Sequence, residues 1–180
     1  MTIDDHYRAI APKLTSYLVG SGSSYDVACD IVQEMFVRIW KHREDLVDDP
    51  AQVSGLAFTI ARNYRKDLAR KAKREVLQAD ITDADFGAGE DSTMQAPEER
   101  YVPPARPGEL DEETAAVRKR LDAALKEVPP LLREAFLLFQ LGELSIREIA
   151  VQTGVSESLV KVRIYRAKEK LKVLLKDLMP

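Results

Sequence analysis

The segment from Leu144 to Leu175 constrains the fold most, because its turn chemistry specifies two short helices around a tight turn. Ser145 is a good N-cap, and Glu148 three residues later completes a capping-box pattern. Ser156 suits the N-cap of the second helix. The motif also has the residue spacing of a helix-turn-helix. Its small residue is Ala150, its turn glycine is Gly154, and its aliphatic residue in the second helix is Val160.

The second helix of this motif is strongly basic. Its cations are Lys161, Arg163, Arg166, Lys168, Lys170 and Lys172. Such a helix can meet phosphates, and its N-terminal half can reach base edges in a major groove. The alternative is a solvated charged face on an amphipathic helix. Turn chemistry and charge together favour DNA binding.

The distribution of charge also favours a polyanionic partner, although the net charge is −3. Residues 56–79 carry seven Lys and Arg against two Asp and Glu, and residues 117–180 carry thirteen against eight. Between them, residues 80–116 carry two against eleven. Two basic segments therefore flank an acidic one, and binding depends on the local field and not on the total.

Composition excludes several classes of protein. A single cysteine, Cys29, rules out a disulfide framework, and its aliphatic neighbours predict a buried, inert thiol. No signal peptide or membrane span is expected, so the predicted location is cytoplasmic. His6 and His42 lack the neighbours of a metal site, so no metal or cofactor is predicted. We find no pattern of catalytic residues and predict no enzyme.

We expect an all-α fold of two small helical domains joined by a flexible acidic linker. The predicted boundaries are residues 1–79, a linker over 80–113 that is rich in Pro, Gly and acid, and residues 114–180 with the helix-turn-helix. No strand pattern occurs along the chain.

Three helical patterns precede the linker, over Asp4–Val19, Tyr25–Lys41 and Ala51–Lys73. Their expected core residues are Tyr7, Ile10, Leu14, Tyr17, Leu18, Val27, Ile31, Val32, Met35, Phe36, Ile39, Trp40, Val53, Ala57, Ile60, Ala61, Tyr64 and Leu68. The third pattern also has a basic stripe at intervals of four residues: Arg62, Lys66, Arg70 and Arg74.

Two further helices are predicted between the linker and the helix-turn-helix. Glu112–Val128 ends at Pro129, and Leu131–Leu141 ends at Gly142. Their expected core residues are Val117, Leu121, Ala124, Leu125, Leu132, Ala135, Phe136 and Phe139.

These segments resemble a known family. Asp26–Glu44 (DVACDIVQEMFVRIWKHRE) and Leu56–Arg74 (LAFTIARNYRKDLARKAKR) resemble conserved region two of bacterial sigma factors. Val128–Lys172, which contains the helix-turn-helix, resembles their region four. A chain with only these two regions is similar to the extracytoplasmic-function (ECF) group.

The resemblance implies a protein that binds core RNA polymerase and directs it to promoter DNA, which it helps to open. An anti-sigma factor acting in trans is an implied partner. The residues that match the polymerase-binding face are Asp30, Gln33, Glu34 and Arg38; without the resemblance they read as a solvated face. The residues that match the helix meeting the promoter element near the start site are Arg62, Asn63, Lys66 and Arg70, and Arg74 extends this DNA-binding surface as a member of the basic stripe. The residues that match the recognition helix are Lys161, Val162, Tyr165 and Arg166, and Arg163 is a further basic residue expected at the DNA.

Side-chain chemistry divides these roles further. Arg166 suits a bidentate base contact and Lys161 a phosphate contact, whereas Tyr165 could instead be a core aromatic. Asn63 could form one wall of a pocket for an unstacked base, with the loop from Arg43 to Val53 as the rest. That loop is acidic and has no aromatic residue, and Leu56 stands where the family usually has tryptophan. We therefore expect weaker base stacking than is typical.

Two other functions are compatible with parts of the sequence. A conventional helix-turn-helix regulator would use the N-terminal segment for dimerisation or sensing and would bind a palindromic site. The basic stripe argues against it, since a dimerisation domain does not need one. A decoy that mimics a sigma factor without transcribing is the other alternative, and the acidic loop is consistent with it.

Overall fold

A computed structural model describes residues 3–42, 49–79 and 111–178. The helices are α1 (Ile3–Gly20), α2 (Tyr25–Lys41), α3 (Pro50–Ala79), α4 (Glu112–Glu127), α5 (Pro130–Gln140), α6 (Ile146–Thr153) and α7 (Glu157–Leu174), followed by a 3₁₀ turn at Lys176–Leu178. Every regular element in these three stretches is helical, which confirms the predicted all-α class. Residues 43–48 of the predicted loop and residues 80–110 of the predicted linker lie outside the described residues. The loop was predicted to extend to Val53, but α3 already begins at Pro50, and α4 begins at Glu112, before the predicted end of the linker.

Polar caps set the starts of four helices. Ser24 accepts a hydrogen bond from the Val27 amide at the start of α2. Asp111 caps α4, where hydrogen bonds from the hydroxyl and amide of Thr114 lower the pKa of its carboxyl. The helix-turn-helix has its own caps, described next. Because these contacts span only a few residues, they follow from local sequence.

The helix-turn-helix forms as its spacing predicts. The Ser145 hydroxyl accepts from the Glu148 amide at 3.2 Å, and the Glu148 carboxylate accepts from the Ser145 amide at 2.7 Å. Gly154 ends α6 in the left-handed conformation, with φ of 69°. Ser156 then caps α7 through the Leu159 amide.

Gly154 gives a clean test of this turn, because a Cβ there would meet nothing within 4 Å. Gly154→Ala is therefore expected to lower the free energy of unfolding by about 1 kcal/mol, through the cost of the left-handed backbone alone. Gly154→Asn should cost less, since asparagine tolerates this conformation better. Urea denaturation of both variants would measure the difference, and equal losses would contradict a backbone origin.

Helices α1, α2 and α3 pack on one another around an apolar centre. Its largest members are Tyr17 and Phe58, whose rings meet edge to face at 5.4 Å between centroids. Val27 and Trp40 were predicted to lie in the core, but both are exposed. Ala28 is buried in place of Val27. The buried face of α2 consists of Ala28, Ile31, Val32, Met35 and Ile39, a helical period that turns Val27 and Trp40 away. Cys29 on this helix is a free thiol of intermediate exposure, so the prediction of a buried thiol was too strong.

Helix α5 is the centre of the C-terminal part, where it packs against α7 and α6. Leu137 and Leu138 are buried there, although the sequence pattern did not predict them. The predicted core residues Val117 and Leu121 are exposed, because α4 buries only its last turn, at Ala124 and Leu125. Leu68 is exposed for a similar reason: α3 has no buried residue from position 67 to position 76.

The two groups of helices, α1–α3 and α4–α7, meet along a contact that we call the seam. A Cβ at Gly20 would lie 3.1 Å from the Leu137 side chain, and one at Gly142 would lie 3.3 Å from the Phe58 ring. Gly142 directly follows the C-cap Leu141 of α5, as predicted, and a Cβ there would also lie 2.6 Å from the Leu138 carbonyl oxygen. The left-handed residue after this helix is Glu143, with φ of 53°. The exposed side chains of Lys13 and Glu143 form an ion pair across the seam.

Candidate nucleic-acid interface

The basic stripe of α3 runs from the seam into solvent. Arg62, at its inner end, is buried with 6% of its surface exposed. Lys66 is half-buried, and Asn63, Arg70 and Arg74 are exposed. The stripe therefore exists as predicted, but its first member is covered in this structure.

Arg62 is held by groups from the C-terminal helices. Its Nε donates to Glu134 Oε1 of α5 at 2.7 Å, and its Nη1 donates to the carbonyl of Gln152 in α6 at 2.8 Å. The Gln152 amide also donates to the Thr59 hydroxyl at 2.6 Å. The side chains of Arg62 and Glu134 are only 7% and 14% exposed, so this ion pair is shielded from solvent.

Crowding of positive charge is visible at Lys66. Burial, followed by the neighbouring Arg62, lowers the pKa of its ammonium group. An anion placed beside this group would relieve the repulsion from Arg62 and would favour the charged form. Beyond Lys66, Arg70 forms a 3.6 Å ion pair with Asp67 that is fully on the surface.

Helix α7 presents an apolar side to the core and a polar side to solvent. Val160, Ile164, Ala167 and Leu171 are its buried residues. Of the predicted recognition residues, Lys161, Val162, Tyr165 and Arg166 are exposed, and Arg163 is intermediate. Tyr165 is 63% exposed, which excludes the alternative of a core aromatic. The outer side of α7 therefore offers cations, an aliphatic side chain and a phenol to a ligand.

Two cations of α7 have intramolecular contacts. Lys172 forms a 3.0 Å ion pair with Glu169 of the same helix. The Lys168 ammonium lies 5.3 Å from the centre of the Phe139 ring of α5, within the range of a cation–π interaction. Lys161 and Arg166, on the exposed side, are better placed for a duplex.

The predicted polymerase-binding face of α2 is accessible. Asp30, Gln33 and Arg38 are exposed and Glu34 is half-buried. Arg38 Nε donates to Glu34 Oε1 at 2.8 Å, and the guanidinium carbon lies 4.8 Å from the centre of the Tyr64 ring. These two contacts orient Arg38 on the surface of the helix.

Two charged residues beside Arg62 were missed by sequence reasoning: Arg65 and Glu134. Arg65 Nη1 donates to the Ser21 carbonyl at 2.9 Å, and its Nη2 lies 3.8 Å from Glu134 Oε1. The available signal was a lone carboxylate between apolar residues in the sequence of α5, LLREAFLLF, which needs a cationic partner when buried.

Neither a metal site nor a membrane span is found in the part of the chain that the structure describes. Over 3–42, 49–79 and 111–178, no group of three His, Cys, Asp and Glu residues could hold a metal ion. Within the same stretches, no helix is long and apolar enough to cross a bilayer.

Two parts of the chain match two regions of one known family. Residues 6–75 match Sigma-70 region 2, and residues 118–171 match Sigma-70 region 4. The chain belongs to the sigma-70 family. The N-terminal match contains the α2 face and the whole α3 stripe, and the C-terminal match contains α6 and α7 up to Leu171.

Curated relatives place this sigma factor in the ECF group. The ECF RNA polymerase sigma factor SigM of Bacillus subtilis is 28% identical over 174 residues, which cover 97% of this chain and 95% of SigM. The ECF RNA polymerase sigma factor RpoE of Cereibacter sphaeroides is 29% identical, with 92% of this chain and 82% of the relative covered.

A solved structure shares the arrangement of nearly the whole chain. The sigma factor RpoE of Bartonella quintana, crystallised in complex with the anti-sigma factor NepR, is 25% identical and gives a TM-score of 0.63. The match covers 96% of each chain. Both parts of this sigma factor therefore have counterparts in one known protein.

Proposed function

We propose that this ECF sigma factor binds core RNA polymerase, directs it to promoters and helps to open the duplex. The observation that carries the proposal is the pairing of two surfaces in one chain. A helix-turn-helix with an exposed basic recognition helix lies on the same polypeptide as a region-two fold with its own basic helix. A conventional regulator with a dimerisation domain has no need for the second surface.

We assign duplex reading to the exposed side of α7. Arg166 is the candidate for a bidentate base contact, and Lys161 for a phosphate contact. Val162 offers an apolar contact of the kind that thymine methyl groups accept. Tyr165 and Arg163 complete this surface.

We assign the promoter element near the start site to the stripe of α3. Arg62, Lys66, Arg70 and Arg74 supply positive charge along about three helical turns, which suits a phosphate backbone. Asn63 is exposed beside Arg62 and can both donate to and accept from a base edge. Leu56, in place of tryptophan, gives aliphatic contact without strong stacking.

The chain itself is proposed to catalyse no covalent step and to require no cofactor. We place it in the cytoplasm, where core polymerase and promoter DNA are found. Because the Bartonella quintana relative was crystallised with an anti-sigma factor, we propose an anti-sigma factor in trans as a partner of this chain as well.

Reconstituted transcription tests the proposed function. Core polymerase alone and core polymerase with the purified chain would transcribe a library of genomic fragments, followed by sequencing of transcript 5′ ends. We expect a set of start sites that depends on the chain and shares two upstream elements. A chain that binds core polymerase but yields no such start sites would be a decoy that mimics a sigma factor without transcribing.

The α2 face gives the sharpest test of polymerase binding. Glu34→Lys should weaken binding to core polymerase by about tenfold, because it reverses one charge of a rim where charge complementarity guides association. The double variant Glu34→Lys/Arg38→Glu keeps the pair within the helix but exchanges its charges, so it should bind core polymerase no better. The free energy of unfolding should change by less than about 1 kcal/mol in either variant. Recovery of binding in the double variant would show that binding depends on the ion pair within the helix and not on the charges that the α2 face presents to core polymerase.

A further inference from the structure

The surface where α2 and α3 meet carries a contact between a cation and an aromatic ring. The Arg38 guanidinium carbon lies 4.8 Å from the centre of the Tyr64 ring, within the range of a cation–π interaction. Arg38 belongs to the predicted polymerase-binding face of α2, whereas Tyr64 belongs to α3, the helix of the basic stripe. A residue of α3 that was not assigned to polymerase binding therefore touches a residue that was.

The Tyr64 ring is a fixed platform for this cation. It is half-buried, and it packs against the hydrophobic core. A tyrosine side chain has only two rotatable torsions, so packing on one side of the ring leaves it little freedom. Arg38, in contrast, has a long side chain that is 46% exposed, and its contacts alone limit its choice of rotamer.

The contacts of Arg38 leave two of its donor groups available. Its Nε donates to Glu34 Oε1 at 2.8 Å, one turn back along α2, and its guanidinium carbon lies over the Tyr64 ring. Among the residues that the structure describes, Nη1 and Nη2 have no acceptor. Because these two amino groups form a planar fork, a carboxylate can accept hydrogen bonds from both of them.

These contacts are too exposed to be a major source of stability. The side chains of Arg38 and Glu34 are 46% and 40% exposed, so water screens the ion pair between them. Their larger effect is expected in binding. A guanidinium group that is already held in one orientation loses less conformational entropy when it meets a partner.

We propose that Tyr64 is a positioning residue for polymerase binding, which holds the Arg38 guanidinium group so that Nη1 and Nη2 can receive a carboxylate of core polymerase. The proposal rests on the proposed docking function of the α2 face, and it adds the chemistry of the partner group, an aspartate or glutamate side chain. Glu34 holds the same guanidinium group from within α2. Tyr64 acts through Arg38 and does not itself contact the polymerase.

Affinity of the labelled chain for purified core polymerase, measured by fluorescence anisotropy, tests the positioning role. Tyr64→Leu keeps an apolar side chain and removes the ring, so it should weaken binding about fivefold. Tyr64→Phe keeps the ring and should stay within about twofold of the wild-type protein. Leu68→Ala changes an exposed apolar residue one turn further along α3, and as the matched control it should also stay within about twofold.

A double-mutant cycle separates positioning from a general effect on the fold. Arg38→Ala should weaken binding to core polymerase about tenfold. In that background Tyr64→Leu should cost less than about twofold, because the group that Tyr64 positions is gone. A fivefold loss in both backgrounds would overturn the proposal, since Tyr64 would then act through the fold or by direct contact.

Arg38→Lys tests the chemistry of the partner group. It keeps the positive charge but replaces the planar fork with an ammonium group, which does not match both oxygens of a carboxylate. Binding to core polymerase should therefore weaken about fivefold. Full affinity in Arg38→Lys would overturn the fork as the contact that Tyr64 positions.

NMR spectroscopy of the free chain tests the contact without polymerase. The ring current of Tyr64 should shift the signals of the Arg38 side-chain protons upfield. Tyr64→Phe should keep this shift and Tyr64→Leu should remove it. An Arg38 side chain with no such shift in the wild-type protein would overturn the positioning role.

The two measurements distinguish failure of the proposal from failure of the function on which it rests. If the ring-current shift is present but neither Arg38→Ala nor Glu34→Lys weakens binding to core polymerase, the docking function of the α2 face is wrong, and the positioning role falls with it. If Arg38→Ala weakens binding but Tyr64→Leu does not, the docking function stands and the positioning role alone is overturned.

Discussion

Phe58→Ala is expected to lower the free energy of unfolding by about 3–5 kcal/mol, the largest effect of any substitution considered for this chain. Phe58 is fully buried in α3, with its ring against the edge of Tyr17. On its other side it approaches Gly142 of the C-terminal part, where a Cβ would lie 3.3 Å away. Truncation would thus leave a cavity that touches both the N-terminal core and the seam.

Phe36→Ala is the matched control, because it removes the same atoms from a less buried position. Phe36 is half-buried in α2, and its ring lies 4.1 Å from that of Tyr7. Its loss should be clearly smaller, about 1–3 kcal/mol, because part of the ring area is already exposed to water. Urea denaturation of both variants would measure the contrast. Equal losses in the free energy of unfolding would show that neighbouring side chains move into the cavity left at Phe58.

Local chemistry made the helix-turn-helix predictable. The capping box at Ser145, the left-handed Gly154 and the cap at Ser156 each depend on residues within four positions of one another. Such contacts form largely independently of the rest of the fold. The bounds of α2 were likewise predicted correctly, since Ser24 caps one end.

The buried face of each helix was harder to predict from the sequence. An apolar residue in a helical pattern is buried only where a neighbouring helix covers it. Val27 lies one position before Ala28, and this single step of about 100° turns it to the surface. Val117 and Leu121 repeat at the correct interval, but both are exposed, because α4 is buried only near its C-terminal end. Periodicity predicts an apolar face and cannot supply the surface against which it packs.

The contact between Arg62 and Glu134 lay beyond sequence reasoning. The two residues are 72 positions apart, and no local rule joins a basic stripe in one segment to a lone carboxylate in another. Resemblance to region two assigned Arg62 to DNA, which is consistent with its position on the stripe. Only the packing of α5 against α3 reveals that the chain holds a competing partner.

Alkaline pH is expected to destabilise the wild-type protein through Tyr17. Burial chiefly, and the nearby negative charge of Glu134 in addition, raise the pKa of this phenol from its ordinary value of 10 to about 12. A group whose pKa is higher in the folded state stabilises fully below its unfolded pKa and loses that contribution as pH rises to the folded pKa. The free energy of unfolding should therefore fall by about 3 kcal/mol between about pH 10 and pH 12 from this group alone.

Tyr17→Phe isolates this contribution, because it removes the buried phenol hydroxyl and keeps the ring in the core. At about pH 7 the variant should be within about 1 kcal/mol of the wild-type protein, because removal of a buried hydroxyl and loss of its contact with Ser21 act in opposite directions. Above pH 10 it should become the more stable of the two, because the titration of lysines is common to both proteins and cancels in the difference. Tyr165→Phe, at a phenol that is 63% exposed, should follow the wild-type pH profile. Denaturant titrations at a series of pH values would measure these curves, and parallel curves for Tyr17→Phe and wild-type protein would show that Tyr17 ionises as freely in the folded chain as in the unfolded one.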